Sequence, residues 1–219
     1  MLATFISTFI TAFVTLFIVI DPVMVTPIFA TLTRHEAPKR QRQIALNASF
    51  LAAGLLTFFG FLGGPMLHHL GIDMAAFRAA GGILLFLMGF RMFFEPEGEL
   101  EAKTPGPKAS ARENVAFFPI AIPMLAGPGA IATMMLLMSE GKIAGGENAL
   151  MMQGAIIAAM LLTLLIGVLI MFFAGRIANA LGKTGMQLIS RLLGMLLMAL
   201  ATQYVFDGIR VGILEKVVG

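Results

Sequence analysis

Six stretches of this chain, roughly 4–33, 44–68, 74–94, 115–138, 149–174 and 186–208, are long and apolar enough to cross a bilayer. That feature fixes most of what the chain can fold into. About 20 mostly apolar residues span the hydrocarbon core as a helix. Of its 219 residues 58% are hydrophobic and 12% charged, about half the charged fraction of a soluble domain. The expected fold is therefore an all-α integral membrane protein, with no room for a second, soluble domain. The chain has no Cys, which excludes disulfides, thiol chemistry and Cys-ligated metals. The net charge of +3 suggests nucleic acid only until the bases are located, because they lie between the apolar segments. Residues 1–33 lack the basic start of a signal peptide, so the first segment is expected to stay as a helix.

Charge placement predicts orientation. The loops after segments one, three and five, with Arg191, hold 11 of the 15 basic residues; the other side has Arg78, Lys142, Arg210 and Lys216. Basic loops stay in the cytoplasm, so both termini are expected outside. One polar linker, EPEGELEAKTPGPKASARE, separates segments three and four and is rich in Pro, Gly and charge.

The two halves resemble each other. IDPVMVTPI in segment one and AIPMLAGPGA in segment four carry prolines at the same spacing, Pro22 and Pro27 against Pro123 and Pro128. FRAAGGILLFLMG in segment three and SRLLGMLLMALAT in segment six match Arg78 to Arg191 and Gly81 to Gly194. Three helices is an odd number, so the second half enters the membrane inverted. The expected architecture is six transmembrane helices as two inverted three-helix repeats, the first helix of each broken. Its parts are residues 1–95, a cytoplasmic linker 96–114, and residues 115–219.

Proline removes a backbone donor and disfavours helix at the preceding residue. Pro22 with Pro27, and Pro123 with Pro128, are thus expected to unwind Asp21 to Thr26 and Ile122 to Gly127. Helix can restart at Pro27 with Thr26 as cap, and at Pro128 with Gly127 as cap. The two restarts would aim free N–H groups inward, each end carrying about half a positive charge, a seat for a carboxylate. The segments that end there offer carbonyls to an ammonium group or Na⁺. A small zwitterion, an amino acid, fits both poles. Expected substrate contacts are Asp21, Val25, Thr26, Pro27, Ala126, Gly127, Pro128 and Gly129; the glycines would let a ligand approach the backbone. Asp21 has two readings: a local cap for N–H groups, or an ammonium partner and proton-coupling carboxylate, since acids inside a membrane are costly. Segment four has little apolar length before its break and segment one nearly twenty residues, which sets both breaks nearer the cytoplasmic side.

DPVMVTPIF, GIDMAAFRAAGGILLFLMGFRMFF and VAFFPIAIPMLAGPGAIATMMLL resemble the MarC-related family of bacterial and archaeal membrane proteins over nearly the whole chain. The resemblance implies a six-helix protein of the cytoplasmic (inner) membrane, grouped with LysE-type exporters. It also implies transport of small neutral amino acids such as glycine and alanine, coupled to protons or another cation. The matching positions are Asp21, Pro22, Pro27, Pro119, Pro123, Gly127, Pro128 and Gly129. Relatives often carry Asn or Gly soon after the Asp-Pro, where this chain has Met24 and Val25.

Other candidates have plainer explanations beside functional ones. Arg78 and Arg191 either snorkel to head groups or form an ion pair with Asp73 or a gate contact. Asn47, Ser49, Thr57, Gln153 and Thr163 either line a cavity, Asn47 and Gln153 foremost, or bond between helices. Adjacent His68 and His69 point to different faces, so no metal site is expected. The 17 Met residues read as packing. No HExxH, GxSxG, Walker A or GxGxxG motif occurs, so no enzyme, catalytic residue or cofactor is expected. The expected partners are a small-molecule substrate and the bilayer, without nucleic acid; self-association into a homo-oligomer stays open. Alternatives to an amino acid transporter are an exporter of another small solute and a non-transporting membrane scaffold.

Overall fold

The structure, a computed structural model, describes residues 2–33, 36–94 and 116–214; among these there is no strand. The first apolar segment forms two helices, α1 (Leu2–Ile20) and α2 (Pro22–Thr33). Segments two and three are α3 (Pro38–His69) and α4 (Met74–Phe94). Segment four is split into α5 (Ala116–Leu125), wound as a π-helix, and α6 (Pro128–Gly145). Segment five is α7 (Ala149–Phe172). Segment six lies in α8 (Ala174–Ile209), which Gly182 interrupts with φ 62° and ψ 179°. The polar linker falls outside the described residues.

Among the described residues five helices, rather than six, are long and apolar enough to cross a membrane: Ala3–Ile20, Pro38–His69, Met74–Phe94, Ala149–Phe172 and Gln187–Gly212. The difference is segment four, whose break leaves no single helix to carry it. Local signals account for the joins. Pro38 starts α3 at N1 behind an extended Ala37. At the other end Gly71 adopts φ +69°, and the amides of Gly71 and Ile72 donate to the carbonyls of His68 and Leu67. That pair of bonds is a glycine-terminated helix end. Asp73 then caps α4 by accepting from the Ala75 amide at 3.0 Å.

The centre of the molecule is α6. Seven consecutive residues, Ala132 to Met138, are buried, the pattern of a helix that is apolar all round and enclosed by others. It packs on α1, α3, α4 and α7. The small-residue face of α3 meets its methionines: Met134 and Met138 cover Gly60, and the Met135 side chain fills the place where a Cβ on Gly63 would stand. Gly60 and Gly63 are thus the close approaches on this face. The helices α4 and α8 run antiparallel along their length. A Cβ at Gly82, Gly89 or Gly208 would lie 2.7–2.8 Å from the carbonyl oxygens of Ala201, Gly194 and Ala75. Backbone lies directly on backbone there.

Candidate functional site

The break in the first segment is one residue long. Asp21 has φ +47°, the positive φ of a non-glycine residue among those described. It serves both helices: its amide donates to the Phe17 carbonyl at 3.0 Å and ends α1, while its carbonyl accepts from the Val25 amide at 3.4 Å and opens α2. The left-handed conformation costs an ordinary residue about 1–2 kcal/mol, and Asp is among those that tolerate it best. Asp21 is 3% exposed, so its carboxyl group lies inside the protein, at the α2 N-terminus.

The unwinding expected from Asp21 to Thr26 is therefore much narrower. Pro22 is the first residue of α2, and Pro27 lies within that helix. Thr26 is not a cap; its hydroxyl donates to the Pro22 carbonyl at 3.2 Å from the helix interior. Packing outweighs the missing Pro27 donor, since Val25, Thr26 and Phe29 are all buried.

The second break matches expectation at its far end. Gly127 is extended (φ −73°, ψ 169°), precedes Pro128 at N1, and its carbonyl accepts from the Ile131 amide at 2.9 Å. Ile122 to Leu125 are wound rather than open, because α5 continues in the wider π form. Its end is an Ala126 amide donating to the Ala121 carbonyl, five residues back, at 2.9 Å. Pro123 lies within this π-wound stretch, where it lacks the backbone donor of other residues. Pro22 and Pro128 thus share the first position of a restarting helix, whereas Pro123 lies within α5.

Both breaks are interior. Ile20, Val25, Leu125, Ala126 and Ala130 belong to one buried cluster, and α2 packs on α5. Gly127 and Gly129 are buried and Pro128 is exposed. A Cβ at Gly129 would stand 2.7 Å from Leu85 Cδ2 on α4, so the glycine admits that neighbour. One and a half turns into α6, the Thr133 hydroxyl is 0% exposed and has no hydrogen-bond partner among the described residues. Sequence reasoning passed over Thr133, although it is the first hydroxyl after the glycines.

The two breaks differ electrostatically. A helix start leaves its first amides unpaired and positive. At α2 an acidic residue already stands on that end. At α6 the cap is glycine, and no acidic side chain lies in the first turn. One restart is compensated and the other is open to an anion.

The remaining candidates lie elsewhere. Arg78 pairs with Glu140 of α6 at 2.7 Å, and Asp73 accepts from the Ala75 amide. Glu140 escaped notice because it sits just past the apolar run. Gln153 donates to the Met138 carbonyl at 3.4 Å, a bond between α7 and α6. Thr163 bonds back to Ala159 within α7. Asn47 and Ser49 line a groove of about 430 Å³ between α3 and α7, which contains no residue of either break. His69 is bonded to the Pro65 carbonyl at 3.0 Å, and no group of three metal-ligating side chains occurs among the described residues.

The family described as MarC family integral membrane protein matches residues 6–213. The chain belongs to the MarC family. Among its MarC relatives is a UPF0056 membrane protein of Aquifex aeolicus, 33% identical over 88% of this chain and 87% of the relative. Another, from Methanocaldococcus jannaschii, is 33% identical over 88% and 91%. The UPF0056 inner membrane protein YhgN of Escherichia coli is 31% identical over 88% and 91%. No solved structure matches this chain. As a MarC protein with five uninterrupted spans, it is an integral, multi-pass membrane protein.

Proposed function

We propose that this chain is a secondary transporter of small neutral amino acids, binding them between the break at Asp21 and the break at Gly127. The observation that carries this reading is the electrostatic difference between two interior helix restarts. The substrate carboxylate goes to the glycine-capped N-terminus of α6. Its ammonium group goes to Asp21, which would also carry the coupling proton or share the site with a cation. Val25, Thr26, Ala126 and Gly129, all buried beside the two breaks, are the residues proposed to lie against a small side chain.

Two inverted three-helix repeats form the proposed scaffold, α1–α4 against α5–α8. Packing supports it: α2 lies on α8 as α6 lies on α4, and α1 lies on α7 as α5 lies on α3. Such exchanged pairs are expected when a pseudo-twofold axis relates the halves. With the basic loops in the cytoplasm, both termini face outward. The short α2 (12 residues) and short α5 (10 residues) then set both breaks toward the cytoplasmic side. The membrane is the cytoplasmic one, in keeping with the description of the Escherichia coli relative as an inner membrane protein.

Counterflow of labelled glycine and alanine in proteoliposomes tests the reading, wild type beside Asp21→Asn. Exchange by wild type that is lost, or loses its pH dependence, in the variant supports the site. Exchange indifferent to Asp21 returns the residue to a capping role. No exchange by folded wild type removes these substrates, and a screen of other small solutes then separates a different exporter from a scaffold.

A further inference from the structure

A second feature lies outside the breaks and does not depend on the transport reading. The groove between α3 and α7 opens on the outer surface of the bundle. Its walls are Leu46, Phe50 and Ala53 on α3 and Leu161, Leu165 and Val168 on α7. Phe50 is 80% exposed, and Leu46, Leu161 and Leu165 are about half exposed. On a helix that spans a bilayer such side chains meet acyl chains. Two polar groups interrupt this surface. Ser49 is 7% exposed, and its hydroxyl has no hydrogen-bond partner among the described residues. Asn47 is exposed beside it. In lipid, polar groups need partners from protein, water or head groups.

One end of the groove is basic. At 100° per residue, Lys39 and Arg42 fall on the same face of α3 as Leu46, Ser49, Phe50 and Ala53. Both cations are exposed. The Arg42 guanidinium stands 5.7 Å from the ring centroid of Phe172, at the end of α7. This contact places the guanidinium at the rim of the groove. Ser49 follows Arg42 by seven residues, about 10 Å along the helix. A cationic rim, a hydroxyl and amide roughly 10 Å deeper, and an apolar floor form the complement of one amphiphile.

We propose that the α3/α7 groove is a binding site for an acidic glycerophospholipid of the leaflet at the Arg42 end. Its phosphate lies against Arg42 and Lys39, its glycerol-ester region against Asn47 and Ser49, and one acyl chain along Phe50, Ala53 and Leu165. The charge argues against a second copy of the chain as occupant. Two copies in one membrane share an orientation, so a symmetric dimer on this groove would set its basic end against itself.

The test uses the full chain purified in detergent, with phosphatidylglycerol and phosphatidylcholine of matched acyl chains as probes. Native mass spectrometry reads how many lipids of each kind survive detergent removal. Wild type is expected to keep one phosphatidylglycerol in preference to phosphatidylcholine. Arg42→Gln and Lys39→Gln should each weaken that preference about fivefold. Ala53→Phe, which fills the groove, should displace both lipids. Arg42→Lys should keep the preference, and circular dichroism with monodisperse elution identifies folded variants. Equal retention of both lipids by wild type overturns the proposal. So does a preference that survives the double charge variant, or a dimer that Ala53→Phe dissolves without loss of lipid.

Discussion

The break at Asp21 and the break at Gly127 do the same mechanical job by opposite means. Each ends one helix, starts another with proline in first position, and lies buried. At Asp21 an acidic residue supplies the turn, accepting a left-handed conformation and bringing charge to the new helix. At Gly127 the backbone is extended, a conformation open to any residue. Glycine there leaves the positive end of α6 without a side chain. A binding site for a molecule with both charges needs this inequality: two identical acidic caps would repel its carboxylate, and two bare ends would repel its ammonium group.

The largest expected effect comes from erasing the difference. Gly127→Asp puts a carboxylate on the bare end and competes with the substrate's own. Half-saturating substrate concentration in counterflow should rise about 30-fold, the reach of a helix-terminus charge in a partly buried setting. An unchanged value would mean the substrate carboxylate sits elsewhere. Next comes the left-handed turn. Asp21→Gly suits the left-handed backbone and removes the carboxylate side chain, whereas Asp21→Ala removes the carboxylate but still holds a methyl at φ +47°. The alanine variant should be less stable than the glycine one by about 1–2 kcal/mol, read as the difference in detergent unfolding midpoints. Equal stability would mean that the turn relaxes on substitution.

A smaller effect separates the restart prolines from the others. Pro27 lies in the interior of α2 and withholds a donor there, so Pro27→Ala should stabilise the protein by about 1 kcal/mol and leave exchange within twofold. Loss of exchange would make Pro27 part of the break after all. Of similar size, Thr133→Val replaces a buried hydroxyl without a partner among the described residues by its apolar isostere. About 1 kcal/mol of stability should be gained; a fall in substrate affinity instead would place that hydroxyl on the substrate. The smallest concerns Arg78 and Glu140. The pair is partly exposed, and Glu140→Gln should cost less than about 1 kcal/mol in the same unfolding assay.

Much of this was legible in the sequence. The apolar lengths located the long helices among the described residues, and Gly127-Pro128 marked its restart correctly, because a residue before proline is held extended and proline suits the first helical position. Asp21-Pro22 was legible as a break but not in extent. Two prolines five apart suggested an open loop, yet their cost is local, while burial of Val25, Thr26 and Phe29 acts on the whole of α2. The π-form of α5 has no signal in residue type, since a proline in a helix is as readily read as a break. Proline spacing alone also did not show that Pro22 and Pro128, and not Pro27, stand first in their helices. Glu140 as partner of Arg78 needed the third dimension, because α4 and α6 are separated by the linker.

The glycine contacts between α4 and α8 bear on which parts of the molecule can move. Where a carbonyl oxygen already occupies the place of a missing Cβ, sliding one helix along the other drives side chains into backbone at every step. The pair is therefore a spine of fixed register running between the halves. Any rocking of one half against the other must be taken up at joints, and the two interior breaks at Asp21 and Gly127 are such joints among the described residues. The residues that would hold the cargo would then also be the bearings on which the machine turns.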